Sequence, residues 1–427
     1  MRGAIGTSLL LFGLAVIVPA PTSAQTIGEM TVDELVARAL ADNRDLKAVR
    51  LEVDAAAGRL QQAGLRPNPM LELGGQKALS PDNNFNVGVS LPLDLNGRKE
   101  GRVAVAEREI EVKRRLVAER ERQLRAEVRM KAGELLAAQR NLGVTDDLLG
   151  VNRSALDLVG TRVRQGAAPS LDEGLQLVEV NRLDASRQLA QSRVEVAALQ
   201  LKALAGMAPD APLTLKAELT TGPLPMDRAE ALQRAVSDRP DVAAARAEAA
   251  MATAMIKKEQ AEGRWDATVN VGYQRQDVGF ALNGLTSTGA QRPIQDVFHY
   301  FGGGVSITLP VRNRNEGNVA AATAAAQAAE RRVEFVVLTA QQQIGAAFTQ
   351  YEAARRSLDI YERGVRDVSR RNLDVIRQAY QLGRGSLLDV VAEQRRYIEV
   401  ENGYTDALKQ VYDASVEIER AVGTGAR

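Results

Sequence analysis

Two segments of this 427-residue chain make the same passage from strand to helix. "GVSLPLDLNGRKEGRVAVA" runs from Gly88 to Ala106, and "GVSITLPVRNRNEGNVAAA" runs from Gly304 to Ala322. Val89, Ser90, Glu100 and Gly101 recur as Val305, Ser306, Glu316 and Gly317, at a constant offset of 216. An internal repeat constrains the fold more than any bulk property, because it makes the chain two copies of one supersecondary unit.

The rest of the repeat follows in order. "LVARALADNRDLKAVR" (Leu35–Arg50) matches "LQRAVSDRPDVAAAR" (Leu232–Arg246): a short helix, then Asp42 or Asp238, then Asp45 or Asp241 opening a second helix as an expected N-cap. "LDLVGTRVRQGAAPSLDEG" (Leu156–Gly174) matches "LDVIRQAYQLGRGSLLDVV" (Leu373–Val391). That match aligns Gly166 with Gly383, Ala168 with Gly385, Leu171 with Leu388 and Asp172 with Asp389. Residues 25–206 are expected to form the first repeat, 207–227 a Pro- and Gly-rich linker, 228–423 the second repeat and 424–427 a tail.

Within each repeat the periodicity changes from two to helical. Phe85, Val87, Val89, Leu91 and Leu93 alternate with Asn86, Gly88 and Ser90; Val269, Val271 and Tyr273 alternate with Thr268, Asn270 and Gln274; Val305, Ile307 and Leu309 alternate with Gly304, Ser306 and Thr308. Leu71 and Leu73 flank Glu72 in a weaker fourth case. These patterns predict strands near 69–77, 84–93, 267–280 and 297–310. The first pair turns at Ser80–Asn84, and the second has a longer loop near Leu282–Pro293. Long proline-free runs predict helices over 99–165, 170–205, 316–382 and 386–422. The first would be roughly 100 Å long at 1.5 Å per residue.

The composition removes several function classes. The formal charge is +1, so no basic patch argues for nucleic acid. There is no cysteine, which excludes disulfides, thiolate metal sites, a cysteine nucleophile and a lipid on an N-terminal Cys. Arg2, the apolar run Ser8–Val18 and "TSA" read as a signal peptide over 1–24, cut after Ala24. No later run is long and apolar enough for a spanning helix, which leaves a β-barrel as the spanning option. Four strands leave two edges unpaired, whereas three copies supply twelve and can close. Two non-spanning readings stand beside this one: soluble hairpins on a periplasmic coiled-coil scaffold, and an exported hydrolase, against which the absence of Cys and of a nucleophile motif weighs.

"GLRPNPML" (Gly64–Leu71), "SLPLDLNGRKEGRVAVAE" (Ser90–Glu107) and "LPVRNRNEGNVAAA" (Leu309–Ala322) resemble the TolC-type outer-membrane efflux proteins, in particular their CzcC-like heavy-metal branch. "RQGAAPSLDE" and "QLGRGSLLDVV" resemble that superfamily's helix–turn–helix tips. The resemblance implies a mainly α fold with a membrane β-barrel part: a homotrimer with a 12-stranded barrel in outer-membrane lipid and a long periplasmic α-helical barrel. It implies a periplasmic adaptor and an inner-membrane pump of the resistance-nodulation-division type as partners, and no cofactor. Divalent metal cations are the expected cargo, with organic drugs or solvents the alternative.

A conduit needs a lumen, a gate and a docking surface rather than a nucleophile. Gly166, Ala168, Ser170, Leu171, Gly383, Gly385, Ser386 and Leu388 are the candidate adaptor-docking tip residues. Gly166 and Gly383 fit left-handed C-cap positions, and Ser170 and Ser386 fit helix starts. Asp389 matches the first acid of the family's tip pattern and is the pore candidate, with Asp172 its repeat mate; the second acid position is Ala392 here. Equally, Asp389 fits a first-turn acid favoured by the helix dipole. Pro92, Asn96, Gly97, Pro310, Asn313, Asn315 and Gly317 are expected to shape the elbows joining barrel to tunnel. The single His299 lies beside Phe298 and Tyr300 with no metal spacing around it, so no metal ligand is assigned. Trp265 fits either an interfacial anchor or packing. "FGGGV" (Phe301–Val305) lacks the Lys-Ser/Thr of a phosphate loop.

Overall fold

The computed structural model describes residues 29–79, 82–220, 222, 224 and 226–423. The expected signal peptide and C-terminal tail lie outside these residues, as does part of the Ser80–Asn84 turn. The first half runs β1 (Glu29–Met30), α1 (Val32–Asp42), α2 (Arg44–Ala63), β2 (Met70–Lys77), β3 (Asn83–Pro92), α3 (Arg98–Arg164) and α4 (Ser170–Leu204). After β4 (Thr214–Leu215) the second half runs α5 (Arg228–Asp238), α6 (Pro240–Glu262), β5 (Asp266–Leu285), β6 (Gln291–Thr308) and α7 (Glu316–Ile360). A π-helical turn at Tyr361–Val365 leads into α8 (Arg366–Gln381), and α9 (Leu387–Val422) follows.

The second long helix is therefore not one regular element over 316–382. Its i→i+5 turn lies where Tyr361 leans on α9: a Cβ added at Gly403 would meet the Tyr361 hydroxyl at 2.4 Å. The second hairpin is longer than 267–280 and 297–310. Its strands extend to Leu285 and from Gln291, with Asn283 opposite Pro293 beyond a register shift at Gly279/Asn283, and leave only 286–290 as the turn.

The helix starts differ from the sequence expectation. Asn43, not Asp42 or Asp45, caps α2: its Oδ1 accepts from Leu46 N at 2.9 Å, and its Nδ2 donates to the Leu204 carbonyl at 2.9 Å. Arg239 holds the corresponding position before α6, with Pro240 at the first helical residue. Its guanidinium is buried and donates to Asp241, to Gln343 of α7 and to the Ala421 carbonyl of α9. Asn43 thereby ties the start of α2 to the end of α4, and Arg239 ties the start of α6 to α7 and α9.

The core sits where the short helices meet the long ones. Leu35, Ala39 and Leu46 pack on Leu124, Val128 and Leu135 of α3 and on Leu201 of α4. The second half repeats this with Ala231 and Ala235 against Ile344, Phe348 and Ile418. The segment between the halves joins in: β4 pairs in parallel with β1, and Leu215 enters the first cluster.

The strands form one sheet, ordered β2-β3-β5-β6 and antiparallel throughout. Its two faces differ. Leu71, Leu73, Phe85, Val89, Leu91, Val271, Phe301, Val305 and Ile307 stand exposed on one. The registers place Glu72, Asn86, Ser90, Asn270, Gln274 and Ser306 on the other. No described helix is long and apolar enough to cross a membrane.

Candidate functional site

The two tips are built alike. Gly166 N donates to the Val163 carbonyl at 2.9 Å and Ala167 N to the Arg162 carbonyl at 2.8 Å. Gly383 N donates to Tyr380 O at 3.0 Å and Arg384 N to Ala379 O at 2.8 Å. Both are Schellman endings, with φ of +71° at each glycine. A Cβ on either glycine would meet nothing within 4 Å, so the backbone conformation alone calls for glycine.

The tips then diverge. Ser386 is a true N-cap with a reciprocal capping box: its hydroxyl faces Asp389 N at 3.2 Å, and its amide donates to Asp389 Oδ2 at 3.2 Å. Ser170, expected to start α4, is its first residue; Pro169 occupies the cap with an extended backbone and no side-chain bond. Asp389 is exposed, and the Ser386 hydroxyl and amide hold its carboxyl below the usual aspartate range. Both bonds fall on Oδ2. The capping role and an outward negative charge therefore coexist in one side chain.

The hairpins touch one another at this end. Leu387, Val390 and Val391 of α9 cluster with Leu175 of α4 and with Ile376 and Tyr380 of α8. Burial raises the Tyr380 phenol, and Asp172 nearby adds to the rise, so Asp172 lies at the seam between hairpins. Leu171, Leu382 and Leu388 point outward, 68%, 72% and 63% exposed. Ala168 and Gly385 occupy the same turns, Ala168 half-buried and Gly385 against Ala379.

Both elbows grip the junction between α6 and β5. In the first, Asp94, Asn96 and Gly97 take positive φ. Asn96 donates to the Trp265 carbonyl, Leu95 N to Asp266 at 3.2 Å, and Arg98 to the Glu262 and Arg264 carbonyls at 3.1 and 2.9 Å. Arg102 grips Asp94 with two nitrogens at 3.1 and 2.6 Å, holding that carboxyl below its ordinary value against the cost of burial. In the second elbow Asn315 has φ +62° and donates to the Glu259 carbonyl and carboxylate at 2.9 and 2.8 Å; Asn313 accepts from Asn315 N. Gly263 lies so close to Arg314 that a Cβ would come within 2.2 Å of its carbonyl oxygen. Pro92 ends β3, and Pro310 follows β6.

His299 lies on the apolar face, its Nδ1 2.7 Å from the Tyr273 hydroxyl. Trp265 is 44% exposed at the foot of β5. Glycines 302–304 fall within β6. Sequence reasoning passed over a set of buried carboxylates: Glu179, bonded by Arg182 and Arg395, and Glu401, bonded by Arg140 and Arg366. Arg182, three residues after Glu179 on α4, is the one partner at a local helix spacing; Arg395, Arg140 and Arg366 come from other helices and leave no local trace in the sequence.

Comparison with known proteins gives one consistent answer. The model of the outer membrane efflux protein family matches residues 35–207 and 231–424. The cobalt-zinc-cadmium resistance protein CzcC of Cupriavidus metallidurans is 25% identical over 400 residues, 93% of this chain and 91% of that protein. The solved structure of CusC superposes with a TM-score of 0.73 at 17% identity, covering 93% of each chain. The outer membrane protein VceC of Vibrio cholerae gives 0.70 at 18%, covering 92% of this chain and 96% of that one. The open state of the MtrE channel of Neisseria gonorrhoeae gives 0.71 at 20%, covering 92% and 88%. Duplicated halves, a two-faced sheet and paired helical tips thus agree with the family match, and the chain belongs to the outer membrane efflux protein family.

Proposed function

We propose that three copies of this chain form a duct carrying divalent heavy-metal cations from a periplasmic adaptor and an inner-membrane pump of the resistance-nodulation-division type to the exterior. One observation carries the duct: a sheet apolar on one face and polar on the other, with β2 and β6 unpaired at its edges, runs directly into very long helices. A twelve-stranded closure pairs β6 of one copy with β2 of the next, antiparallel as the alternation of strands requires. From Leu91 to Phe85 the apolar face spans about 20 Å along the strand, on the scale of the ~25 Å lipid band of outer-membrane barrels.

The internal repeat supports the same neighbour. Gly101 lets α3 approach α6, where a Cβ would come 2.9 Å from Lys258 Cα; its repeat mate Gly317 meets nothing within 4 Å. Arg98 pairs with Glu262 and Asp266, whereas its mate Arg314 has no ion pair among the described residues. Both vacant places fall on the side of α7 and β6, where a second copy would present α2 and β2. The exposed leucines and shaped turns at the tips suit adaptor docking, and Asp389, once per copy, suits a cation-attracting entrance.

The metal cargo rests on the likeness to CzcC. Deleting the gene in a strain without a redundant duct should raise sensitivity to cobalt, zinc or cadmium, with the intact gene restoring tolerance. Unchanged metal tolerance alongside new sensitivity to organic toxicants would replace the metal cargo with a drug cargo. A freely soluble monomer on membrane fractionation would overturn the duct itself.

A further inference from the structure

The polar face of the sheet carries a row the tips do not explain. Cross-strand pairing sets Glu72 opposite Gly88, Gly88 opposite Gly272 and Gly272 opposite Gly302. One height of the sheet therefore carries a single carboxylate and three glycines across all four strands. The row on one side is Met70, Ser90, Asn270 and Gly304; on the other it is Gly74, Asn86, Gln274 and Tyr300. From the row of Pro92, Thr268 and Ser306 to that of Gln76, Asn84, Gln276 and Phe298, Glu72 is the only charged side chain on this face.

The fold gives no local reason for two of these glycines. Neither Gly88 nor Gly302 has a positive φ. A Cβ at Gly88 would make ordinary contact with the Glu72 Cβ at 3.8 Å, and one at Gly302 would meet nothing within 4 Å. Glycine inside a strand weakens it relative to alanine. What the three glycines provide is clearance: a groove of about 360 Å³ lies over the row, lined by Glu72, Asn86, Ser90, Asn270, Gln274 and Tyr300. Glu72 is exposed to this space and has no ion pair among the described residues. Ser90, Asn270 and Ser306, by contrast, bond one another at 2.7 and 2.8 Å and leave no charge.

We infer that Glu72 is a cation-selecting residue within the membrane-spanning part of the duct, acting on hydrated cations at a glycine-cleared height. This rests on the trimeric duct proposed above, which turns the polar face inward and places three Glu72 carboxylates at one level. Three carboxylates facing a low-dielectric wall concentrate cations and repel anions, and a divalent ion gains twice the interaction of a monovalent one. The glycines offer no side-chain ligand, and a single carboxylate comes from each copy. The ion therefore keeps its water and is passed on rather than held, as a conduit requires. Glu72 lies in the sheet and Asp389 at the far tip of the helices, so the two charges act in series.

The test uses the full-length protein in planar bilayers, with zero-current potentials measured across a potassium chloride gradient. Wild type should prefer cations. Glu72→Gln should lower the cation-to-anion permeability ratio severalfold while the oligomer stays heat-modifiable; Glu72→Asp should keep most of the preference. Gly302→Lys, with open space for its side chain, should move selectivity further toward anions than Glu72→Gln does. Normal pores with the same zero-current potential in wild type and Glu72→Gln would overturn the assignment and leave the duct standing. A wild-type protein that forms no conducting oligomer would overturn the duct and this inference with it.

Discussion

At the scale of single residues, two kinds of glycine separate. Gly383 has a left-handed backbone with free space around it, whereas Gly263 has an ordinary φ and a neighbouring carbonyl in the way. Gly383→Ala should therefore cost about 1–2 kcal/mol of left-handed strain and no packing, and Gly383→Asn should recover part of it. Gly263→Ala must instead push the Arg314 backbone away from the α6–β5 junction, and should exceed the ~1–3 kcal/mol typical of overpacking. Thermal unfolding of the detergent-solubilised protein measures both. Equal losses would mean that the second elbow yields freely and does not fix the helix direction. The pattern around Gly383 was legible in the sequence because a Schellman ending is local: glycine, its position after an apolar helix and the restart are all within a few residues. Gly263 carried no such signal, since its neighbour lies about 50 residues downstream.

At the scale of elements, what the sequence told depended on how local each cause was. Strand alternation and helix length were readable because side-chain period follows backbone geometry directly. The π-helical turn at Tyr361–Val365 was not, because nothing in "YERGV" breaks a helix as proline would. Its surroundings are tertiary: Tyr361 against Gly403, and just beyond it Arg366 reaching Glu401 at 2.7 Å. Glu401 is 3% exposed and also takes Arg140 of α3 at 3.2 Å, and both guanidiniums lie over the Tyr404 ring at 5.0 and 4.8 Å. One carboxylate thus ties α3, α8 and α9 immediately after the irregular turn. Glu401→Gln should cost about 1.5–3 kcal/mol, the scale of hydrogen bonds to charged groups. Amide exchange should quicken over α8 and the middle of α9, while the Asn152–Gln176 pair of α3 and α4 keeps its protection. Uniform quickening along all four helices would show Glu401 supporting the whole bundle rather than this joint. The extension of the second hairpin to Leu285 and Gln291 was hidden for the opposite reason: Asn283, Gly284 and Pro293 read as loop, and only cross-strand pairing makes them strand.

At the scale of the whole molecule, the sheet and the helices solve one problem with opposite means. The helices satisfy their backbone internally and bury small side chains against each other, as Ala322, Ala326, Ala340 and Ala347 of α7 do. The sheet has almost no core of its own: its large apolar groups remain exposed in the single chain, and only Ala267 and Ser90 among its residues are buried. In the proposed duct, lipid covers one face of this sheet and other copies pair its edges, which is where such a sheet gains stability. That makes the two faces respond differently to the same kind of change. Val271 is 61% exposed at the middle of the apolar face, and Asn270 is its neighbour on the polar face. Val271→Lys should cost about 2–4 kcal/mol at the membrane midplane, per copy, and should prevent a heat-modifiable oligomer from accumulating in the outer membrane. Asn270→Lys adds the same charge one residue away, facing water, and should leave insertion intact while altering conductance. Fractionation with gel mobility before and after heating reads the first effect, and bilayer recording reads the second. If both lysines blocked insertion alike, the polar face would not be a lumen, and the sheet would have to meet lipid or protein on both sides.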